Sequence, residues 1–395
     1  MTTFTVDIFT SCWGIAIVLL AVAGCLANPF FRRLRWTEEE SEQEKSDDKT
    51  VSDQELEKRT VPVSVLLPIH EAYEHLESHL EAFLSQDYPC YQVVAVGQKG
   101  DHAVEDVLKR LQGKYSHLYY TMIPTSSRYM SREKLQVTLG VKASAHEWIV
   151  LSSPTCLPGK EWLRGMAKHL TEGNHMALGV VLLDEEAKGY WRFRHIRTLY
   201  YLLRKAQRGT ALRTHMANVA FRKSDFIAGK GYQGNLQLVR GELDFLVNKY
   251  AEGVNCAVEL SLQTWLVEEG LTRKTLRNRR LYLRASSKHL RHAASMKALR
   301  FFDTLLPYAS LFASLGTIAY SAYQKDVPLL IFAVIALLTL FIARAVMAAK
   351  AVHCFDPSVS AWLMPFYELA LFWSDLADRW HYMRSDKNDF TSHKL

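Results

Sequence analysis

Three long apolar runs constrain this chain before any other feature does. The first, from Ile8 to Phe31, is almost uncharged; the others run from about Leu305 to Tyr323 and from Val327 to Ala349. Crossing a hydrocarbon core takes roughly 20 apolar residues, and each run is long enough. A cleaved signal peptide is the rival reading of the first run, but no basic region precedes it and its apolar core is long for that role. Positive charge follows it instead, at Arg32, Arg33 and Arg35, which predicts an N-terminus outside and the next domain in the cytosol. The later two runs, joined by the short link Gln324 to Pro328, read as a hairpin that leaves and returns. Arg344 lies near the returning end, where it is expected to snorkel to the cytosolic interface. The chain is therefore expected to be an integral protein of the cell or inner membrane, its globular domain cytosolic.

The formal charge of +7 is unevenly placed. From Leu271 to Phe302 there are ten Lys or Arg and no carboxylate. This stretch abuts a membrane span and lacks interleaved stacking aromatics, so a nucleic-acid partner is not expected. Anionic lipid headgroups are the simpler partner, a diphosphate-lipid substrate the sharper one. The six cysteines are scattered without metal-ligand spacing and read as small buried side chains in a reducing compartment.

The segments in order are a membrane anchor at 1–36, an acidic polar linker at 37–60 and a folded domain at 61–285. A basic segment and membrane hairpin at 286–350 follow, then an interfacial helix and tail at 351–395. The linker contains Glu38-Glu39-Glu40 and Ser46-Asp47-Asp48 and buries too little apolar surface to order itself. Within the domain, Val63-Ser64-Val65-Leu66-Leu67-Pro68 reads as a buried parallel strand stopped by proline. Leu76, Leu80, Phe83 and Leu84 recur at helical spacing, as do Val104, Leu108 and Leu111. Tyr91 to Val96, Trp148 to Leu151 and Ala177 to Leu183 are further strands. Alternation of this kind predicts a parallel sheet covered on both faces, with ligands beyond the C-terminal strand ends. The loops starting at Pro68, Gly97 and Ser152 then face the site.

The opening strand, the helix ending in Ser85-Gln86-Asp87-Tyr88-Pro89 and the strand from Tyr91 resemble the start of family 2 glycosyltransferases. Lys134 followed by Thr138-Leu139-Gly140-Val141-Lys142-Ala143 is similar to that family's lysine and helix. Ala217 to Ser224, containing Asn218, resembles its acceptor-side segment, and Gly241-Glu242-Leu243-Asp244 falls at its acidic pair. The resemblance spans Val61 to Leu283. It implies an α/β fold of the GT-A, nucleotide-diphospho-sugar transferase type: a mostly parallel sheet with flanking helices, joined here to α-helical transmembrane segments. It also implies a nucleotide-sugar donor, a lipid-linked or polysaccharide acceptor, and usually a divalent metal on the diphosphate.

Against the resemblance, the expected Asp-any-Asp after the third of these strands is Ser153-Pro154-Thr155, poor donors for a hard cation. No metal site is expected. The nucleotide-contacting acids after the second strand are replaced by Val96 and Gly97, with Asp101 nearby reading as a helix cap. Pro68 and Glu71 occupy the donor-side loop. Glu242 or Asp244 is the candidate base, each equally readable as a helix-start acid. Lys134, Asn218, Arg277 and Arg280 are the candidate substrate-binding residues, the cations clamping a diphosphate without metal. His70 ends the first strand, where a packed role competes with a chemical one. Tyr190 to Tyr201, with Arg192, Arg194 and Arg197, either lines an acceptor groove at the membrane or packs domains. The aromatic run Trp362 to Trp373 reads as an interfacial helix. Two functions remain: an active membrane transferase, or a silent relative that scaffolds or regulates a membrane partner protein.

Overall fold

The computed structural model describes residues 8–36, 60–125, 129–251, 256–291 and 293–391, so the acidic linker lies outside the described residues except at its last position. Along the chain, α1 (Ile8–Leu26) precedes β1 (Val63–Pro68), α2 (Leu76–Leu84), β2 (Tyr91–Gln98), α3 (His102–Lys114) and β3 (Leu118–Ile123). Next come α4 (Arg132–Ala143), β4 (Trp148–Ser152), β5 (Cys156–Pro158), α5 (Trp162–Ala167), β6 (Met176–Leu178) and β7 (Val181–Leu183). Then follow α6 (Gly189–Ala206), β8 (Asn218–Arg222), α7 (Lys223–Ala228), α8 (Glu242–Tyr250), β9 (Cys256–Val258), β10 (Leu266–Glu268) and α9 (Arg273–Ser286). The chain closes with α10 (Ala293–Gln324), α11 (Val327–Val352) and α12 (Met364–Arg384). These elements divide into two units, one helical and one α/β.

The α/β unit is built on a seven-stranded sheet of order β3-β2-β1-β4-β8-β6-β9. β3, β2, β1 and β4 run parallel; β8 is antiparallel to both β4 and β6. Residues 63–67 of β1 and all of β4 are buried, which is why both read as unbroken apolar runs rather than alternating ones. Crossovers between parallel strands need helices, and α2, α3 and α4 supply them. In α3 the buried Val104, Leu108 and Leu111 form the stripe expected from their spacing, each worth roughly 1.5–3 kcal/mol on burial. Asp101 accepts the Val104 N–H at 3.1 Å, the cap expected of it.

The strand expected over 177–183 is two strands. β6 belongs to the large sheet, whereas β7 pairs with β10 in a three-stranded sheet of order β5-β10-β7. The Asn218 side chain lies at this break, its Nδ2 donating to the carbonyls of Val180 at 3.0 Å and Thr264 at 3.3 Å. An apolar run cannot reveal a change of sheet halfway along it.

In the helical unit α1 packs against α10 and α11, which pack on each other. α10 and α11 are long and apolar enough to cross a membrane, and α1 is a shorter apolar helix. At 26 residues α11 is about 39 Å long at 1.5 Å per residue. Exposed side chains on these helices are largely apolar, among them Ile15, Leu19, Phe312, Ile331, Leu338 and Val346. Thr10 donates to Asp326 at 2.9 Å near one end of α1. Near the other end, Arg344 Nη1 donates to the carbonyls of Gly24 and Ala27, and Nε donates to Glu368 at 2.6 Å. Arg344 is thus 5% exposed and satisfies the last carbonyls of α1, rather than snorkelling outward as its position suggested. Arg32 binds Asp303 through two hydrogen bonds of 2.9 and 2.7 Å. On α12, Trp362 just before its start and then Phe366, Trp373 and Leu376 form one exposed stripe at helical spacing.

Candidate active site

The carboxyl ends of β1 and β2 are fixed by α4. Gly140 permits the close approach: a Cβ there would lie 2.1 Å from Leu66 Cδ1 on β1. One turn earlier, Gln136 Nε2 donates to the carbonyls of Ile69 at 2.5 Å and Val96 at 2.9 Å, joining the two strand ends. The first turn of α4 then presents three consecutive charged side chains, each with its own partner. Arg132 donates to Gln98 at 3.2 Å, Glu133 pairs with Arg240 at 2.8 Å, and Lys134 turns inward.

Lys134 is fully buried. Its Nζ donates to the carbonyls of Asn235 and Leu238 at 2.5 and 2.6 Å and lies 5.0 Å from the Phe245 ring centroid. Burial depresses its pKa to about 8, with the carboxylates of Glu242 and Glu133 opposing. The lysine therefore holds the segment that leads into α8. Lys249 holds the same segment farther back, donating to the carbonyls of Gly229 and Gly231 at 2.6 and 2.7 Å.

That segment ends at Gly241, whose φ of +100° is a left-handed conformation that disfavours other residues. Two carboxylates follow on the first turn of α8, and their surroundings separate them. Asp244 is 1% exposed, receives two hydrogen bonds from Arg213 (Nε at 2.9 Å) and a third from Ser286 Oγ at 2.8 Å. Burial pushes its carboxyl pKa up, while Arg213 and Ser286 pull it down. Its three hydrogen bonds all go to framework groups. Glu242 is only half-buried and accepts the Gly241 N–H at 3.0 Å, leaving its other oxygen uncommitted by that bond.

Glu242 is also the common electrostatic neighbour of Lys134, Arg279 and His70. His70 is solvent-exposed just past the end of β1. Crowding by surrounding protein lowers its imidazole pKa; Glu133, Glu242 and Glu71 oppose this, and Arg240 adds to it. The structure thus brings Pro68, Glu71, Glu242 and Lys134 to the carboxyl ends of β1 and β2, together with His70, Glu133 and Arg240. The last two were not legible as site residues, because their pairing joins positions 107 apart in a sequence without a recognisable motif at either.

Asn218 is not turned toward this group. Its Nδ2 bonds are those at the β6–β7 break, and its Oδ1 accepts from Trp162 Nε1 at 3.2 Å, so the whole amide is buried in the sheet framework. On α9, Arg273, Arg277, Arg280 and Arg284 recur at intervals of four, three and four, which places them on one helical stripe. Arg277 is exposed and Arg280 half-buried. Arg279 faces another way and forms two bonds with Glu268, at 2.8 and 2.5 Å, which raise its pKa further.

The segment where the resemblance places a metal-binding acidic pair is closed on itself. Ser153 Oγ and Thr155 Oγ1 bond each other at 2.8 Å, and the Pro154 carbonyl accepts from Tyr73 OH while lying 3.0 Å from His79 Nδ1. His79 in turn reaches Glu269 at 3.2 Å. Neutral hydroxyls already paired to each other do not suit a divalent cation, which favours carboxylate oxygens. Among the described residues, no three His, Cys, Asp or Glu side chains cluster as metal ligands.

A family model described as Glycosyl transferase family 21 matches residues 18–186. No curated protein matches the sequence. Among solved structures, the chain is similar to a mannosyltransferase from Pyrobaculum calidifontis in complex with GDP-Man and Mn2+. Identity there is 17% and the TM-score 0.49, covering 92% of this chain and 99% of that one. It is also similar to S. aureus TarS in complex with UDP, at 12% identity and a TM-score of 0.42, covering 80% and 92% of the two chains.

Proposed function

We propose that this chain is a membrane-bound glycosyltransferase, moving a sugar from a nucleotide-sugar to a lipid-linked or polysaccharide acceptor at the cytosolic face. The observation that carries the proposal is the division of labour between Glu242 and Asp244 at the carboxyl ends of parallel strands. Asp244 is bound into the framework, whereas Glu242 stays half-buried beside His70 with acceptor capacity to spare. The family match over residues 18–186 supports the same reaction class. In this reading the GT-A-type unit binds the donor, and α1, α10 and α11 span the membrane with the N-terminus outside.

The chemistry asks for two things. A carboxylate must take the proton of the acceptor hydroxyl as its oxygen bonds the anomeric carbon. The bond from that carbon to the diphosphate oxygen breaks at the same time, with inversion, and its electron pair leaves with the nucleotide diphosphate. Glu242 is the base. The developing charge on the leaving group needs neutralisation, and this reading assigns that task to the stripe Arg273, Arg277 and Arg280, since the residues at 153–155 do not suit a metal.

Glu242→Gln should remove turnover of a nucleotide-sugar into lipid extract while leaving thermal unfolding unchanged; undiminished turnover would refute the assignment. A second reading, a catalytically silent relative that scaffolds or regulates a membrane protein, is favoured by the closed Ser153-Pro154-Thr155 segment. Calorimetry with uridine, guanosine and cytidine diphosphate sugars, with and without manganese, separates the two. Saturable binding supports the transferase; no binding to any donor supports the silent relative.

A further inference from the structure

Within the helical unit, α6, α10, α11 and α12 leave a pocket of about 480 Å3, its open mouth included. Pro307, Tyr308, Leu311 and Phe341 give it apolar walls, while Arg197, Asp303, Arg344 and Glu368 give it a polar end. Pro307 lies inside α10 and lacks the N–H that would bond the Asp303 carbonyl four residues earlier.

The polar end sets three cations, Arg32, Arg197 and Arg344, against two carboxylates, Asp303 and Glu368, and is incompletely bonded. Asp303 is held by Arg32 and by Tyr201, and Arg344 by Glu368 and the end of α1. Two atoms are left over. Arg197 Nε, a donor, and Glu368 Oε1, an acceptor, are both shielded from solvent without a hydrogen-bond partner. Arg197 rests 5.5 Å from the Tyr201 ring centroid, and among the described residues no carboxylate forms an ion pair with it. Its sequence neighbours differ in this respect: Arg192 pairs with Asp356, and Arg194 with Asp375 and Asp378. Orphaned polar groups in an apolar surrounding are destabilising, and charged ones more so. A ligand that supplies one acceptor and one donor relieves both.

We propose that this pocket holds a membrane lipid with a zwitterionic phosphoethanolamine headgroup, its phosphate on Arg197, its ammonium on Glu368 and its acyl chains along the apolar wall. An anionic headgroup without an ammonium fits less well, because it brings no donor for Glu368 Oε1. A neutral diacyl lipid leaves Arg197 unanswered. The site lies wholly within the helical unit. It rests on the membrane reading above, but not on the transferase chemistry.

The test uses the full chain, purified and delipidated in detergent, titrated with a phosphatidylethanolamine carrying a fluorophore on one acyl chain. Saturable binding at one lipid per chain is expected. Phosphatidic acid, which lacks the ammonium, and diacylglycerol, which lacks the phosphate, should each compete at least about tenfold more weakly, a difference of about 1.4 kcal/mol. Arg197→Gln should weaken binding by a similar factor, Arg197→Lys should restore part of it, and Leu311→Trp should fill the apolar end and abolish it. Thermal unfolding of each variant separates lost binding from lost fold, and Arg197→Gln remains informative where Leu311→Trp does not fold. Equal binding by wild type and Arg197→Gln would overturn the proposal, as would equal competition by diacylglycerol or by phosphatidic acid. Displacement by free phosphoethanolamine at the same concentration would overturn the lipid and leave a soluble-headgroup site. Nucleotide-sugar binding, measured on the same preparations, reports separately on the transferase reading.

Discussion

Replacing Lys134 with methionine removes a buried cation while keeping a chain of similar length, and the structure sets what should follow. Two opposing effects act at neutral pH. The carbonyls of Asn235 and Leu238 lose their donor, which costs about 1–3 kcal/mol each when they stay buried. Removing the charge relieves a desolvation penalty. The depression of the lysine from 10.5 to about 8 corresponds to roughly 3 kcal/mol at 1.36 kcal/mol per unit. The two largely offset, so the variant should lose no more than about 3 kcal/mol at pH 7.

The pH dependence is the sharper signature. Between pH 8 and 10.5 the unfolded chain keeps the Lys134 proton that the folded chain has released, so raising pH across that window favours the folded state. The wild type gains this increment and Lys134→Met cannot. Their difference in stability should therefore widen by up to about 3 kcal/mol as pH rises from 7.5 to 10.5. Urea midpoints of the full chain in a non-ionic detergent, followed by tryptophan fluorescence, measure it. The difference between the two proteins cancels every other titrating group that the substitution leaves untouched. A gap that stays constant across the window would refute the argument that Lys134 is a charged, desolvated clamp.

Other substitutions follow from the same framework. Arg213→Ala strands Asp244 in the interior and should cost about 3–5 kcal/mol, read as a lowered Tm; replacing both partners by apolar residues, Arg213→Met with Asp244→Leu, should recover most of it. Gly140→Ala places a methyl 2.1 Å from Leu66 Cδ1 and should cost about 1–3 kcal/mol, partly rescued by Leu66→Val. Arg344→Ala removes the donor to the end of α1 and leaves Glu368 buried without its cation, at about 3–5 kcal/mol, detectable as faster loss of the folded helical unit on heating in detergent.

Much of the fold was legible because local rules and burial agreed. β1, α3 and the hairpin of α10 and α11 follow from period and length, and the Asp101 cap from residue type. The acidic pair was legible as a pair but not as two different groups. What separates them is Arg213, thirty-one positions before Asp244, and Ser286, forty-two after it. Neither belongs to a pattern around residue 242. Lys134 was likewise visible as a conspicuous lysine, yet its direction depends on the carbonyls of Asn235 and Leu238, which carry no side-chain signal. Arg344 shows the same limit in the helical unit: a basic residue near a span end can reach outward or cap a neighbour, and the α1 carbonyls decide.

A diphosphate bound at this site has to be neutralised without the usual acids. At this site Arg240 is paired to Glu133 and Arg279 to Glu268, and Lys134 is enclosed. Exposed guanidinium groups at hand for a donor include Arg132 on α4 and Arg273 and Arg277 on α9. Exposed guanidinium groups are screened by salt, with a Debye length of about 10 Å at 0.1 M and about 3 Å at 1 M. A donor held by the α9 stripe should therefore bind more weakly as salt rises and respond little to manganese. A donor held through a bridging metal should do the reverse. Calorimetric titration of a nucleotide diphosphate at 50 mM and 500 mM salt distinguishes the two, and Arg277→Glu with Arg280→Glu should abolish the salt-sensitive part. Binding that ignores salt and requires manganese would mean that the charge is met by groups other than α9, and that residues 153–155 rearrange when the donor arrives.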